Sequence, residues 1–464
     1  MTNENNINPL IFRAYDIRGI VGEDLTEETV ELIGKGIGTF FIRNNAQKLS
    51  VGRDVRLSSE PLKNALARGI LSTGCDIIDT GVSSSPILNS SIMLWGLDGG
   101  VMVTGSHNPI QFNGIKLTMK GGLPVSSENI QEIRKIIETG DFEKGNGSIS
   151  EKSAVEEYFQ SIQKVIKLER PMKVAVDTGN GVGGLFIPQL LRRLGCEVVE
   201  LYTEPDGNFP NHIPNPETQA NLADLEKIVA EQKCDVGFGY DGDADRMGLV
   251  DETGTYREAD YIIMLLSRDY LTRHPGEKIL IDVKVSQNVI NDIRKHGGEP
   301  FLYKVGYSLI KRKMSEENIL LGGELSGHIF AFEDFFPFDD GLYASCRVLQ
   351  YLSKSNKTVS EHFTDLPKLF STRLIEIPVP DDRKFDVIKG VTAKLSEKYS
   401  IVDIDGVRAE FPDGWTIVRA SNTTPNLTVR FEANTQEALD RIQSEVYSIL
   451  RMYPEVNLNS IHYH

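Results

Sequence analysis

The stretch MKVAVDTGNGVGG, residues 172–184, decides the fold. Val174, Ala175 and Val176 form a short apolar run that enters a turn of glycine and asparagine, and Leu185 to Leu194 then has helical spacing. A strand, a tight turn and an amphipathic helix make up half of a strand–helix–strand unit. Working outward, helix-like Leu222 to Glu231 leads to the strand Val236 to Tyr240. Helix Ile262–Leu271, strand Lys278–Val283, helix Gln287–Lys295, strand Phe301–Tyr303, a helix near Ile310–Met314 and strand Ile319–Gly322 follow. On the N-terminal side, strand Leu49–Gly52, helix Pro61–Leu71 and strand Gly100–Thr104 repeat the theme. Such alternation predicts crossover connections and parallel pairing. After Pro367 the character changes: Thr372–Val379, Gly406–Phe411, Trp415–Arg419 and Leu427–Glu432 read as strands with few helices between, before one long helix, Gln436–Met452. The expected fold is three consecutive α/β domains with mixed, mostly parallel sheets plus a C-terminal α+β domain, arranged around a central cleft. Expected boundaries are 1–150, 151–255, 256–368 and 369–464, the first set by the Gly/Ser-rich DFEKGNGSIS at 141–150.

The chain has 464 residues, a length that by itself suggests roughly three domains. Fifty basic against 66 acidic residues give a net charge of −16, which argues against holding DNA or RNA by charge. An anionic ligand would have to be met by local donors. Cys75, Cys196, Cys234 and Cys346 form no CxxC pair, the usage expected of buried thiols in a reducing compartment. The N-terminus carries no basic, apolar leader, and runs such as IIMLL at 262–266 are too short to cross a bilayer. A cytoplasmic protein is expected, with no membrane or nucleic-acid partner, as a monomer or weak homo-oligomer.

Four polar motifs punctuate the units. TGSHNP at 104–109 follows an apolar strand and places Ser106 at a sheet's C-terminal edge, where open α/β sheets put their ligands. The same string also reads as a polar turn closed by Asn-Pro, and it lacks the GxSxG frame of an acyl-transfer serine. DGDADR at 241–246 is stronger. Asp241, Asp243 and Asp245 can converge on one hard cation, and without one their charges would repel. A calcium EF-hand puts Gly where Arg246 stands and helices where strands are read, so that reading fails. GELSGH at 323–328 offers a carboxylate and a hydroxyl between glycines, suited to a polyol or to a plain Gly-rich loop. RASNTTP at 419–425 brings a guanidinium, hydroxyls, an amide and turn N–H groups together, enough for a phosphate dianion, although alone it is also an ordinary turn.

In this order and spacing the four motifs resemble the α-D-phosphohexomutase family, in its phosphomannomutase/phosphoglucomutase branch. FRAYDIRG at 12–19, NGIK at 113–116, DGNFPNHIPNP at 206–216, DVK at 282–284 and FDDG at 338–341 extend the resemblance over nearly the whole chain. It implies that Ser106 carries a phosphoryl group in the resting enzyme, and that Asp241, Asp243 and Asp245 bind Mg²⁺ together with an oxygen on Ser106. Arg246 would hold that phosphoryl group. Arg18, Tyr15, His107 and Lys116 would line the reacting end. Glu324 and Ser326, with His328, would take the sugar hydroxyls, and Lys284 would face the sugar. Arg419, Ser421, Asn422 and Thr423 would grip the phosphate that is not reacting. The implied reaction interconverts hexose 1-phosphate and hexose 6-phosphate, of mannose or glucose, through a 1,6-bisphosphate that also serves as activator. The candidate bases are Lys116, His107 and His328. One departure stands out: Tyr307 in VGYS occupies a turn where relatives often carry His, which leaves sugar preference open.

Competing readings are a phosphoglucosamine mutase, disfavoured by Leu325 where that enzyme usually has Gln, a serine–metal phosphatase, and a sugar-phosphate sensor without chemistry. Because each motif lies in a separate unit, the C-terminal unit is expected to swing over the cleft about a hinge after Pro367.

Overall fold

The computed structural model describes residues 7–421 and 424–463. Four sheets follow one another along the chain. In the first, the strands run in the order Asp16–Ile20, Phe112–Met119, Gly99–Val103, Lys48–Arg53, Asp76–Val82, Ile149–Glu151. The last four are parallel, and the first two are attached antiparallel. The second sheet orders Tyr256–Arg257, Met247–Asp251, Val236–Tyr240, Lys173–Asp177, Glu197–Leu201; the third orders Glu299–Tyr303, Lys278–Asp282, Leu321–Gly323, Ile329–Ala331. Each again has a parallel set with antiparallel strands at one edge. The fourth sheet is antiparallel throughout, centred on Gly414–Ala420 and Asn426–Ala433.

The mixed character has a functional consequence. The parallel strands are joined by helices, as the alternation predicts. All four motifs, however, sit at the turn between two neighbouring antiparallel strands: 103 to 112, 240 to 247, 323 to 329 and 420 to 426. A hairpin turn anchored by two ladders is held at both ends.

The stretch expected to be a boundary, DFEKGNGSIS, is stitched to the first unit. Gly145 and Gly147 donate backbone N–H groups to Ser72 and Leu71, and Ile149–Glu151 pairs with Asp76–Val82. In the fourth unit a helix at Lys384–Ser396 joins the long one, Gln436–Leu450. Its Val387, Val391 and Leu395 are buried at spacings of four, the usual inner stripe of a surface helix. The apolar cores of the second and third units merge into one cluster, whereas the first and fourth units have their own. The fourth unit meets the third through two buried arginines. Arg408 donates to the carbonyls of Val283 and Val285, and Arg430 to that of Lys284 and to Glu258.

Candidate active site

Ser106 is 1% exposed and sits in the left-handed region at φ +49°. A non-glycine residue holds that conformation only where its surroundings over-determine it, a pattern that clusters at functional sites. Here the cause is visible. Arg56 is buried beneath the loop and donates to the carbonyl oxygens of Ser106 (2.9 Å), Asn108 (2.5 Å), Pro109 (3.0 Å) and Phe112 (3.1 Å). Asp54 accepts from Thr104 Oγ1 and from the N–H of Gly105, while Thr104 Oγ1 accepts from the N–H of Ser106. A Cβ on Gly105 would stand 2.4 Å from Arg56 Nε, so this position requires glycine. Neither Asp54 nor Arg56 stands out in the sequence; charged residues directly after the strand Lys48–Arg53 are the only local hint.

The metal-type loop closes on Ser106 from the second unit. Ser106 Oγ donates to Asp241 Oδ2 at 2.8 Å and lies 3.1 Å from His107 Nδ1. A Cβ on Gly242 would come within 2.5 Å of Ser106 O, so the two loops touch backbone to backbone. Ala244, like Ser106, is left-handed, at φ +61°. The three aspartates are buried, and one oxygen from each lies within 4.8 Å of the others. Burial, then Asp245 and Asp243, push the Asp241 carboxyl well above its ordinary range. Burial also raises Asp243, but the Lys116 charge and hydrogen bonds from Lys116 and Ser85 outweigh it and bring the carboxyl to about 2. Lys116 Nζ bridges Asp243 Oδ2 and Asp245 Oδ2 at 2.6 Å each. Those carboxylates hold its ammonium protonated despite burial. Among the described residues, Asp243 Oδ1 and Asp245 Oδ1 are buried without a hydrogen-bond partner. An all-oxygen set with unpaired buried carboxylate oxygens fits a hard divalent cation such as Mg²⁺.

These groups lie at the floor of a cavity of about 810 Å³ between all four units. Its lining includes Tyr15, Arg18, His107, Lys116, Arg246, Lys284, Tyr307, Glu324, Ser326, His328, Arg419 and Ser421. Every cavity-lining position expected from the sequence, within the described residues, is therefore gathered in one place, with Ser106 and the aspartates just beneath. Asn422 and Thr423 lie outside the described residues. Arg18 pairs with Asp16 at 2.7 Å and reaches Asn108 at 3.3 Å. Glu324 accepts the N–H of Gly306 at 2.5 Å and the hydroxyl of Ser326 at 3.2 Å, and burial raises its carboxyl. Tyr307 stands edge-on to Tyr15 at 5.0 Å and stacks on His328 at 5.4 Å. Arg419 pairs with Asp405 at 2.9 Å. Arg13, another cation of the cavity wall, was missed from the sequence although it stands in FRAYDIRG. The local charge answers the acidic net balance: Arg13, Arg18, Lys116, Arg246, Lys284 and Arg419 face Asp24, Glu217, Glu324 and Glu376.

Comparison with known proteins agrees with this geometry. The phosphoglucomutase/phosphomannomutase alpha/beta/alpha domains I, II and III match residues 9–144, 156–254 and 258–370, and the C-terminal domain of that family matches 374–449. The chain belongs to the phosphoglucomutase/phosphomannomutase family, whose enzymes are magnesium-dependent isomerases. It is 44% identical over 436 residues to the phosphomannomutase/phosphoglucomutase of Pseudomonas aeruginosa, covering 94% of each chain. It is 42% identical to a Neisseria meningitidis phosphoglucomutase, covering 97% of this chain and 99% of that one. A solved phosphoglucomutase/phosphomannomutase family protein from Burkholderia thailandensis superposes with a TM-score of 0.91 at 37% identity, over 97% of this chain and 99% of that one. Among the described residues, no helix is long and apolar enough to cross a membrane.

Proposed function

We propose that this chain interconverts hexose 1-phosphate and hexose 6-phosphate, with glucose and mannose as the sugars, through a phosphoserine at Ser106. The observation that carries the reading is the contact of Ser106 Oγ with Asp241 among three buried aspartates, at the floor of a cavity whose far wall holds Arg419 and Ser421. A phosphoryl group passing between Ser106 and either end of a hexose phosphate needs positioning and charge neutralisation more than covalent chemistry. Lys116 and Arg246 supply fixed positive charge there. Arg419 and Ser421, with Asn422 and Thr423, would hold the phosphate at rest. Lys284, Glu324 and Ser326 would hold the sugar hydroxyls and Tyr307 the adjoining edge.

Asp241, Asp243, Asp245 and Ser106 Oγ would hold Mg²⁺. Bound there, the ion would neutralise charge on the transferring phosphoryl and the serine oxygen. In the first half-reaction the bond from phosphorus to Ser106 Oγ breaks and one to a sugar hydroxyl oxygen forms, the hydroxyl proton leaving to a base and ending on the freed Ser106 oxygen, giving the 1,6-bisphosphate. After the sugar turns over, its other phosphoryl returns to Ser106. As for the base, the carboxylates around Lys116 keep it protonated. Burial, then Arg246, Arg18 and Lys116, hold the His107 imidazole neutral, with its ordinary pKa pushed well down. His107 is thus a neutral imidazole beside the serine, its Nδ1 3.1 Å from Ser106 Oγ.

The test is turnover of glucose 1-phosphate and mannose 1-phosphate with Mg²⁺ and a trace of the 1,6-bisphosphate. Intact mass should show one phosphoryl group on the purified protein, lost in Ser106→Ala. Release of inorganic phosphate in step with substrate loss would instead mark a phosphatase. Preference for glucosamine phosphates would mark the amino-sugar mutase. Scattering that shows compaction with substrate would support closure of the C-terminal unit.

A further inference from the structure

Two buried charged residues outside the four loops, Asp339 and Lys311, reach the reacting end through His328. On one side of the His328 ring, Nε2 accepts a hydrogen bond from Arg246 Nε at 2.9 Å. A guanidinium only donates, so Nε2 carries the lone pair. On the other side, Nδ1 lies 2.8 Å from Asp339 Oδ2 and 3.8 Å from Asp245 Oδ1, both as ion-pair contacts, and among the described residues neither Nδ1 nor Asp339 Oδ2 has a partner in hydrogen-bond geometry. With the lone pair on Nε2, the hydrogen of the neutral ring sits on Nδ1, where the Asp339 carboxylate is the nearest negative charge. Asp339 is held in turn by Lys311, whose Nζ is 2.9 Å from Oδ1, with both side chains 3% exposed. The Tyr307 ring closes the arrangement, stacked on His328 and lying 4.9 Å from Lys311 Nζ. Asp245, His328 and Asp339 are close enough to ring an ion. His328, however, has no free lone pair, and Lys311 already neutralises Asp339.

We propose that Asp339, anchored by Lys311, is a positioning residue of this enzyme. It fixes the Nδ1–H tautomer and the orientation of His328, whose Nε2 then anchors the Arg246 guanidinium. The inference rests on the reading of Arg246 as the holder of the phosphoryl group. It extends the site by one layer: ammonium, carboxylate, imidazole and guanidinium in series, crossing from the third unit into the second. The antiparallel bridge between Arg246 and His328 fixes the two backbones at the crossing. Carboxylates that orient an imidazole in this way are worth a factor of about 10–100 in metal sites and about 10⁴ in a serine-protease triad.

The experiment uses the full chain labelled with ¹⁵N-histidine, with His328→Gln to assign the ring. Long-range ¹H–¹⁵N spectra should show the wild-type His328 protonated at Nδ1 alone. In Asp339→Asn the population should move toward Nε2–H, while kcat falls about 10²–10³-fold and KM changes less than about threefold. Asp339→Asn leaves the Lys311 ammonium buried without its carboxylate. The double variant Lys311→Met/Asp339→Asn is therefore measured beside it and should stay folded with the same loss. A wild-type His328 protonated at Nε2, or a folded double variant with kcat within about threefold of wild type, overturns the proposal. The spectra need no turnover, so a wild-type chain without mutase activity would sink the proposed function while the spectra still decided the tautomer.

Discussion

At the floor of the cavity, Ser106 is held by a buried arginine below, an aspartate above and a strained backbone of its own. At the far wall, Arg419 spends one nitrogen on Asp405, while its buried Nη2 has no hydrogen-bond partner among the described residues. The floor is built from the first and second units, whose loops touch backbone to backbone. The far wall belongs to the fourth, whose core is separate. On the proposed function, the contrast separates chemistry from recognition. Phosphoryl transfer rewards charges fixed before the reaction begins, because they need no reorganisation as it proceeds. Holding a phosphate that does not react requires only donors that can close on it, and the same donors serve whichever end of the sugar arrives.

The sharpest way to break this comparison is Ser106→Ala. Turnover should fall by on the order of 10⁴ or more, with binding of hexose phosphate retained in calorimetry. A residual rate near wild type would remove the floor from the mechanism. Next in size is Lys116→Met, which removes the cation between Asp243 and Asp245. An expected loss of about 10²–10³ in kcat, with little change in KM, would mark Lys116 as a group acting in the transition state. Arg419→Ala should behave in the opposite sense. Removing charge-assisted hydrogen bonds worth about 1.5–3 kcal/mol should raise KM roughly 10- to 100-fold and change kcat less. If Arg419→Ala lowered kcat as much as Lys116→Met does, the division between the two ends would not stand.

The smallest effect concerns the segment 206–216 that clamps the first two units. Its Phe209 ring lies 5.0 Å from the Arg56 guanidinium. His212 Nε2 sits 3.1 Å from both oxygens of Asp177. Burial alone would lower the imidazole pKa, but the bond to Asp177 and its charge outweigh that and raise it above 6.5. A raised folded-state value means that the stabilisation is complete below about pH 6.5 and is lost as pH climbs through the folded pKa. Urea midpoints of the wild type should therefore drop more between roughly pH 6 and 8 than those of His212→Gln. Equal slopes would show that the His212–Asp177 pair contributes nothing to the clamp.

The local pattern carried much of this. Val174–Val176 before a glycine turn is a strand by composition, and it is one, Lys173–Asp177. DGDADR reads as a cation loop on charge alone, because three carboxylates at alternate positions have few other uses. The helix Lys384–Ser396 has a signal in Val387, Val391 and Leu395, but its polar exposed face hides it among strands. The roles of Arg56 and Asp339 were not legible, although FDDG, which contains Asp339, carries part of the family resemblance. An arginine after one strand and an aspartate before a helix have no local sign that they will lie under a serine loop or behind a histidine.

By itself the sequence determined the kinds of element, their order and the chemical character of the four loops, because these depend on periodicity and side-chain chemistry within a few residues. Only the tertiary structure decided that Ser106 meets Asp241 across 135 positions of chain, that Lys116 lies between Asp243 and Asp245, and that His328 stands between Arg246 and Asp339. Those contacts arise from how four sheets dock. Docking is set by complementary surfaces and buried charges summed over whole units, which no short window of sequence contains.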